Sequence, residues 1–250
     1  MRLKGQLIPQ ASLDCGERDQ MLALMQRHYA GVQPEVFLAD LAEKDWVITV
    51  RDVASVIRGF STQMLFQATV GHRRVRALFS GDTVVDKDYW GDFALSHVWG
   101  RLALDLIEQY PREELYWFLI SQGFRTYRFL PLFFHEFFPR CDRPMTHATR
   151  QVIDALALSK FPHSYDPTRG VVRAAAQQYH LRESLAEIPA SRLRDPHVRF
   201  FVQANPGFSV GDELCCAAML TRDNFTTAAW RVIGPVDEVA EPTLCESPLG

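Results

Sequence analysis

The chain has 250 residues, 47% of them hydrophobic, which is enough for one large core or for a core with a substantial appendage. Its formal net charge of -3 comes from nearly balanced acids and bases and excludes a globally basic protein built for nucleic acid or an anionic membrane. No run approaches the ~18 apolar residues of a membrane-spanning helix, and Met1-Arg2-Leu3-Lys4-Gly5-Gln6 opens no apolar leader, so a cytoplasmic protein without a membrane partner is expected.

Met21, Leu22, Leu24, Met25 and Tyr29 follow helical spacing, and Val36, Phe37, Leu38 and Leu41 repeat it after the Gly31 to Pro34 break. Trp46 to Val50 reads as a strand, Arg51 to Ser55 as a turn, and Val56 to Val70 as a longer strand rich in β-branched and aromatic residues. Gly59 inside that strand predicts a bulge or a close backbone approach. A third strand, Arg76 to Phe79, leads through Ser80 to Val85 into the segment Asp86 to Ala94. From Asp92 onward Leu95, Val98, Trp99, Leu102, Leu106 and Ile107 mark one apolar helical face, ending near Tyr110-Pro111.

Leu115 to Ile120 is nearly continuous apolar sequence, as expected of a strand buried on both faces, and it stops at Ser121-Gln122-Gly123. This strand, helix, strand unit predicts parallel pairing. Phe124 to Phe138 is strongly aromatic and reads as a helix broken near Pro131. In Arg140 to Pro196, proline-containing links separate helices predicted at about Thr146–Ser159 and Arg173–Glu187. Val198, Phe200 and Val202 alternate as a strand, Asn205-Pro206-Gly207 with Gly211-Asp212-Glu213 reads as a hairpin connection in preference to a substrate-covering loop, and Leu214, Cys216, Ala218 and Leu220 form a last strand. The Pro- and Glu-rich tail from Pro235 to Gly250 is expected to be loose.

Five cysteines at scattered positions, without a CxxC, argue against a disulfide framework, and Cys215-Cys216 reads as core packing. Eight histidines without HxxxH or HExxH spacing give no support to a metal centre.

The chemistry concentrates between Arg76 and Ala94, where a strand, a tight turn and a helix start follow one another. The first turn of a helix carries unpaired N–H groups and a positive dipole end that suit a phosphate. The element order resembles the GCN5-related N-acetyltransferase (GNAT) superfamily over roughly Met21 to Phe138 plus Val198 to Leu220. The resemblance implies an α/β fold with a mixed, splayed β-sheet flanked by helices. It divides the chain into a core domain over 1–139 and 197–234, an inserted helical segment over 140–196 and a flexible tail over 235–250.

It also implies a donor: acyl-CoA, or a thioester on the phosphopantetheine of an acyl carrier protein. The pyrophosphate would rest on the loop of Val84, Val85, Asp88, Tyr89, Trp90, Gly91, Asp92, Phe93 and Ala94. The family pattern there is Arg or Gln, two residues, Gly, one residue, then Gly or Ala; here Asp88, Gly91 and Phe93 stand in those places. Three readings stay open: CoA held less tightly, a carrier-protein donor, or a fold that has lost acyl transfer.

The family also places an Asn after the fifth strand and a Tyr acid on the next helix; here stand Ser121 and Phe133 or Phe134. Tyr127, His135 and Glu136 are the nearby groups that transfer protons, and Asp82, with Thr83, sits beside the expected splay as a base or amine ligand. Arg125 and Arg128, three apart on a helix, suit a carboxylate or phosphate. The expected activity is acyl transfer to the amine of a small-molecule acceptor in a biosynthetic reaction. Its rivals are a non-catalytic binding module of the same fold and a transferase using an aminoacyl-tRNA donor. The last predicts a basic patch at Arg73, Arg74, Arg76, Arg125 and Arg128.

Overall fold

The structure is a computed structural model that describes residues 3–174, 179–182 and 186–234; Cys245 and the predicted loose tail lie outside them. The chain opens with β1 (Lys4–Pro9), α1 (Cys15–His28), the short β2 (Tyr29–Ala30) and α2 (Pro34–Ala42). Three antiparallel strands follow: β3 (Trp46–Arg51), β4 (Ile57–Val70) and β5 (Arg73–Val85). Next come α3 (Ala94–Gln109), β6 (Glu114–Ser121), α4 (Phe124–Tyr127), α5 (Phe129–Phe133) and α6 (His147–Lys160). The remainder supplies β7 (Tyr165–Asp166), β8 (Val171–Val172), β9 (His180–Leu181), α7 (Pro196–Ala204), β10 (Glu213–Met219) and α8 (Thr227–Ile233).

The main sheet has the order β1-β3-β4-β5-β6-β10-β8-β7, antiparallel throughout except for the parallel pair β5 and β6. That mixed sheet between helices is the architecture the resemblance implies. Helices α3, α4, α5, α7 and α8 cover one face, where Trp99, Trp117, Phe134 and Phe201 lie in one apolar cluster. On the other face α6 packs with Phe79, Phe118 and Cys215, and α1 with α2 buries Met21, Met25, Phe37 and Phe60. Trp117 and Phe118, neighbours on β6, enter opposite cores, as the two-residue period of a strand requires.

Two bulges shape the sheet. Between Val50 and Arg51 of β3 the β4 register passes from Gly59 to Ile57, and a Cβ on Gly59 would stand 2.8 Å from a Val50 methyl. The predicted bulge and the predicted close approach are both there. The second interruption lies in β5: Gln63 pairs with Ser80 and Ser61 with Thr83, so Gly81 and Asp82 together oppose Thr62 alone. The extra residue restores Asp82 and Val84 to the face that Ala77 and Phe79 occupy.

Several expectations need correction. Strand β1 carries no strong alternation and is absent from the sequence reading; it docks because Gly5 has no side chain, a Cβ there lying 2.6 Å from Val98. The alternation at Val198, Phe200 and Val202 is not a strand but α7: Pro196 presets its first turn, the Asp195 carboxylate accepts the His197 N–H at 2.9 Å, and Val198 and Phe201 are buried three apart. The aromatic segment breaks at Arg128 rather than Pro131, because a proline in the first turn of α5 forfeits an N–H that has no helical partner there. From Phe134 onward the backbone is extended, bridged to Phe225 and, at Phe138, to Ala217. Where spacing predicts a helix over Arg173–Glu187, the described residues include β9, paired with β2. The segment 140–196 likewise adds strands β7 and β8 to the sheet beside α6.

Candidate active site

Strands β5 and β6 pair from Val75 and Glu114 to Ser80 and Leu119, and there they part. Beyond that point β5 continues against β4 to Val85, while β6 continues against β10 through Ile120 and Ser121. Each strand keeps a partner on its other side, so the divergence leaves a gap in the middle of the sheet without unravelling it. A cavity of about 620 Å3 fills this gap. Gly81, Asp82, Thr83, Val84 and Val85 line it from β5, Gln122, Gly123, Arg125 and Thr126 from the segment after β6, and Asp40, Tyr29 and Glu213 from α2, β2 and β10.

One end is acidic. The β5 bulge turns Asp82 into the cavity, where the Tyr179 hydroxyl donates to its carboxylate. Burial, and then the nearby Asp40, push the Asp82 carboxyl up to about 6. Burial likewise raises Glu213 to about 8, with Asp82 and Asp40 adding to the rise. Asp40 is answered by Lys44, whose buried ammonium sits 2.6 Å from its carboxylate. Glu213 has no ion pair or hydrogen bond to its side chain among the described residues. The Tyr29 and Tyr179 rings meet edge to face at 5.3 Å beside these acids, and burial holds both phenols well above their ordinary pKa, so they stay protonated. His28, also on the wall, is lowered by burial and is a neutral imidazole at neutral pH.

The opposite end is aromatic and cationic. The Arg125 guanidinium lies 4.3 Å from the Trp90 ring centre, and the Trp90 indole N–H donates to the Val85 carbonyl at 2.9 Å. Burial, with Arg192 nearby, lowers the Arg125 pKa. Gly91, at φ +100°, makes the turn after the short helix Lys87–Tyr89. The Asp92 carboxylate accepts the Ala94 N–H at 2.8 Å and the Leu3 N–H at 3.1 Å, so it occupies the helix start predicted to hold a phosphate.

Of the residues singled out from sequence, Asp82, Thr83, Val84, Val85, Tyr89, Trp90, Gly91, Asp92 and Arg125 line the cavity. Tyr127, His135 and Glu136 do not. Tyr127 is fully buried among Phe137, Phe200 and Phe201, and its hydroxyl donates to the Pro139 carbonyl at 2.9 Å. His135 and Glu136 are exposed on the extended stretch after α5, where Glu136 pairs with Arg143 at 3.1 Å. Ser121 is buried and donates to the Gly123 carbonyl at 2.8 Å, Arg128 pairs with Asp195 at 3.1 Å, and Asp88 and Phe93 are exposed. None of these four lines the cavity, and nor does Ala94, at the start of α3.

In the predicted basic patch, Arg73 pairs with Glu114 and Arg76 with Glu113. Sequence reasoning missed Asp40, Tyr179 and, as a site residue, Glu213. The local signal for Glu213 was an acid directly ahead of a strand buried on both faces. Among the described residues no cluster of His, Cys, Asp or Glu could hold a metal, and no helix is long and apolar enough to cross a membrane.

No protein-family model matches the sequence, and no curated protein matches it. Solved structures do. A GNAT-family N-acetyltransferase from Escherichia coli in complex with CoA aligns at 13% identity over 52% of this chain and 69% of its own, with a TM-score of 0.38. A probable N-acyltransferase from Enterococcus faecalis aligns at 16% over 63% of this chain, with a TM-score of 0.41. The N-myristoyltransferase of Saccharomyces cerevisiae with bound myristoyl-CoA aligns at 11% over 48%, with a TM-score of 0.36. The aligned part is 43% of the Enterococcus chain and 31% of the yeast chain, so this protein spans less than half the length of either.

Proposed function

We propose that this protein is an acyltransferase that moves an acyl group from a pantetheine thioester, carried by CoA or by an acyl carrier protein, to the amine of a small molecule. The observation that carries the reading is the cavity in the β5–β6 splay with the Asp82 carboxyl inside it. An amine attacks only when neutral, yet arrives mostly as ammonium, so the site must attract a cation and then remove its proton. The acidic end supplies both functions. Asp82, with a pKa of about 6, is ionised at neutral pH, so it both attracts the ammonium and is able to take its proton, while Glu213, raised to about 8, stays protonated beside it and Asp40 is paired with Lys44. Tyr179 holds the Asp82 carboxylate in place by its hydrogen bond.

The neutral amine then attacks the thioester carbon, and the C–S bond breaks as the amide forms. The β5 bulge interrupts the regular pairing with β4 at Gly81 and Asp82, and in this reading the backbone N–H groups of that stretch receive the carbonyl oxygen of the thioester. The leaving group is a thiolate, a far weaker base than an alkoxide, so it departs without a strong acid. That suits a cavity from which Tyr127 is absent. Because Asp92 already takes the Ala94 N–H, a pantetheine arm presented by a carrier protein asks less of this loop than a free CoA pyrophosphate.

The test is amine-dependent thiol release, measured with acyl-CoAs and acylated carrier protein against a panel of small amines. Saturable release with one donor and one acceptor class is the expected result. Binding of a donor without release for any amine would favour the non-catalytic module, and neither binding nor release would overturn the reading.

A further inference from the structure

A second, smaller cavity of about 40 Å3 adjoins the first, in the splay between β5, β6 and α3. The two share Gly81, Thr83, Ile120, Thr126 and Phe129 as lining, so a chain entering the large cavity past Thr83 has this chamber ahead of it. Its walls combine apolar rings with an ordered polar floor. The Trp117 indole N–H donates to the Ser80 hydroxyl at 2.9 Å, Ser80 donates to the Gln63 carbonyl oxygen at 2.8 Å, and the Gln63 amide donates to Ser61 at 2.7 Å. Ser61 meets Thr83 at 2.7 Å, and Thr83 donates to the Gly81 carbonyl at 3.2 Å. Each hydroxyl and the indole N–H on that floor thus has a partner within the protein.

One donor is left over. The Trp99 indole nitrogen, on a residue 5% exposed, has no hydrogen-bond acceptor among the described residues. An orphaned buried donor costs about 1–3 kcal/mol, so its natural partner is one the protein does not itself supply. Ser96 lies three residues earlier on the same face of α3, lines the same chamber, and makes no side-chain hydrogen bond among the described residues. Resting on the acyltransferase reading above, we propose that this chamber is the subsite for a short acyl chain bearing an oxygen on its third carbon, a 3-hydroxyacyl or 3-oxoacyl group, received by the Trp99 N–H and the Ser96 hydroxyl.

Volume sets the length. A water needs about 10–15 Å3 of such space, so the chamber holds roughly three or four heavy atoms beyond the thioester carbonyl. The Trp99 and Trp117 rings, 4.5 Å apart between centres, both wall it. A longer plain alkyl chain would have to displace them, and a short plain one would leave the indole N–H unsatisfied.

The experiment compares acetyl, butyryl, 3-hydroxybutyryl and hexanoyl donors, each as the CoA and the carrier-protein thioester, with one productive amine. The expected result is a kcat/KM for 3-hydroxybutyryl about tenfold above butyryl, the yield of one well-made hydrogen bond, with hexanoyl the poorest. In Trp99→Phe and in Ser96→Ala that ratio should fall toward one, a readout within each variant that survives any change in overall activity. If wild-type protein turns over butyryl as well as 3-hydroxybutyryl, or if the ratio is untouched in both variants, the chamber holds solvent and the subsite is wrong while acyl transfer stands. If no donor is turned over, the acyltransferase reading itself fails and the subsite with it.

Discussion

Asp82 and Glu213 show how a carboxyl acquires chemistry from its surroundings. Neither has an unusual neighbour in sequence, yet both are raised, Asp82 to about 6 by burial and the charge of Asp40, and Glu213 to about 8 by burial and the charges of Asp82 and Asp40. For Glu213 the folded value lies above the unfolded value near 4.3, so its contribution to stability is full below about pH 4 and is lost as pH rises through about 8. Glu213→Gln should therefore flatten the decline in melting temperature between about pH 5 and 8 and leave the variant the more stable protein at pH 8. A parallel decline in both proteins would refute that burial of its charge. Asp82→Asn keeps the shape but removes the base: kcat should fall by about 100-fold or more, and the rise of kcat/KM through about pH 6 should disappear from the profile. A variant with wild-type rate would take the base role from Asp82. Asp82 itself was legible, since an acid next to the glycine of a strand-to-helix joint stands out. Its partners Asp40, Tyr179 and Glu213 were not, because they lie far apart along the chain and only the packing of α2, the segment before β9 and β10 brings them together.

The elements were read well where burial and period agree. Helix α3 and strand β6 have one-sided and two-sided apolar patterns, and both stand where those patterns put them. Gly59 also signalled its bulge, because a missing side chain in a β-branched strand has few other uses. The failures share a cause. Strand β1 and helix α7 are short, and a few apolar residues fit more than one period, so the cap at Asp195 and the contact at Gly5 decide. Gly5→Ala tests this directly: its new Cβ would stand 2.6 Å from Val98 and 2.9 Å from the Ala94 carbonyl, with backbone on one side that cannot yield. The expected loss is about 1–3 kcal/mol, seen as a lower denaturation midpoint; an unchanged midpoint would mean that β1 does not hold the start of α3.

In the molecule as a whole, one sheet runs from β1 to β7 and draws strands from 140–196 into its edge. The ammonium of Lys160, at the end of α6, reaches Glu43 beyond α2 at 2.5 Å, and Phe161 lines the central cavity. Such continuity predicts one cooperative unfolding transition, with tryptophan fluorescence and far-ultraviolet dichroism giving the same midpoint in urea; two separated midpoints would show that 140–196 folds apart from the core. The amino-acid order alone was enough for the α/β class, the parallel crossing from β5 to β6 and the neighbourhood of the site, because hydrophobic period and glycine position are local properties of a chain. It could not say that Tyr127 is core, that Glu136 belongs to surface arginines, or that Asp82, Asp40 and Glu213 share one cavity with an unanswered Trp99 beyond it. Those facts depend on where the sheet parts and which distant residues meet in the gap, and long-range contact is a property of the packed molecule that no local pattern encodes.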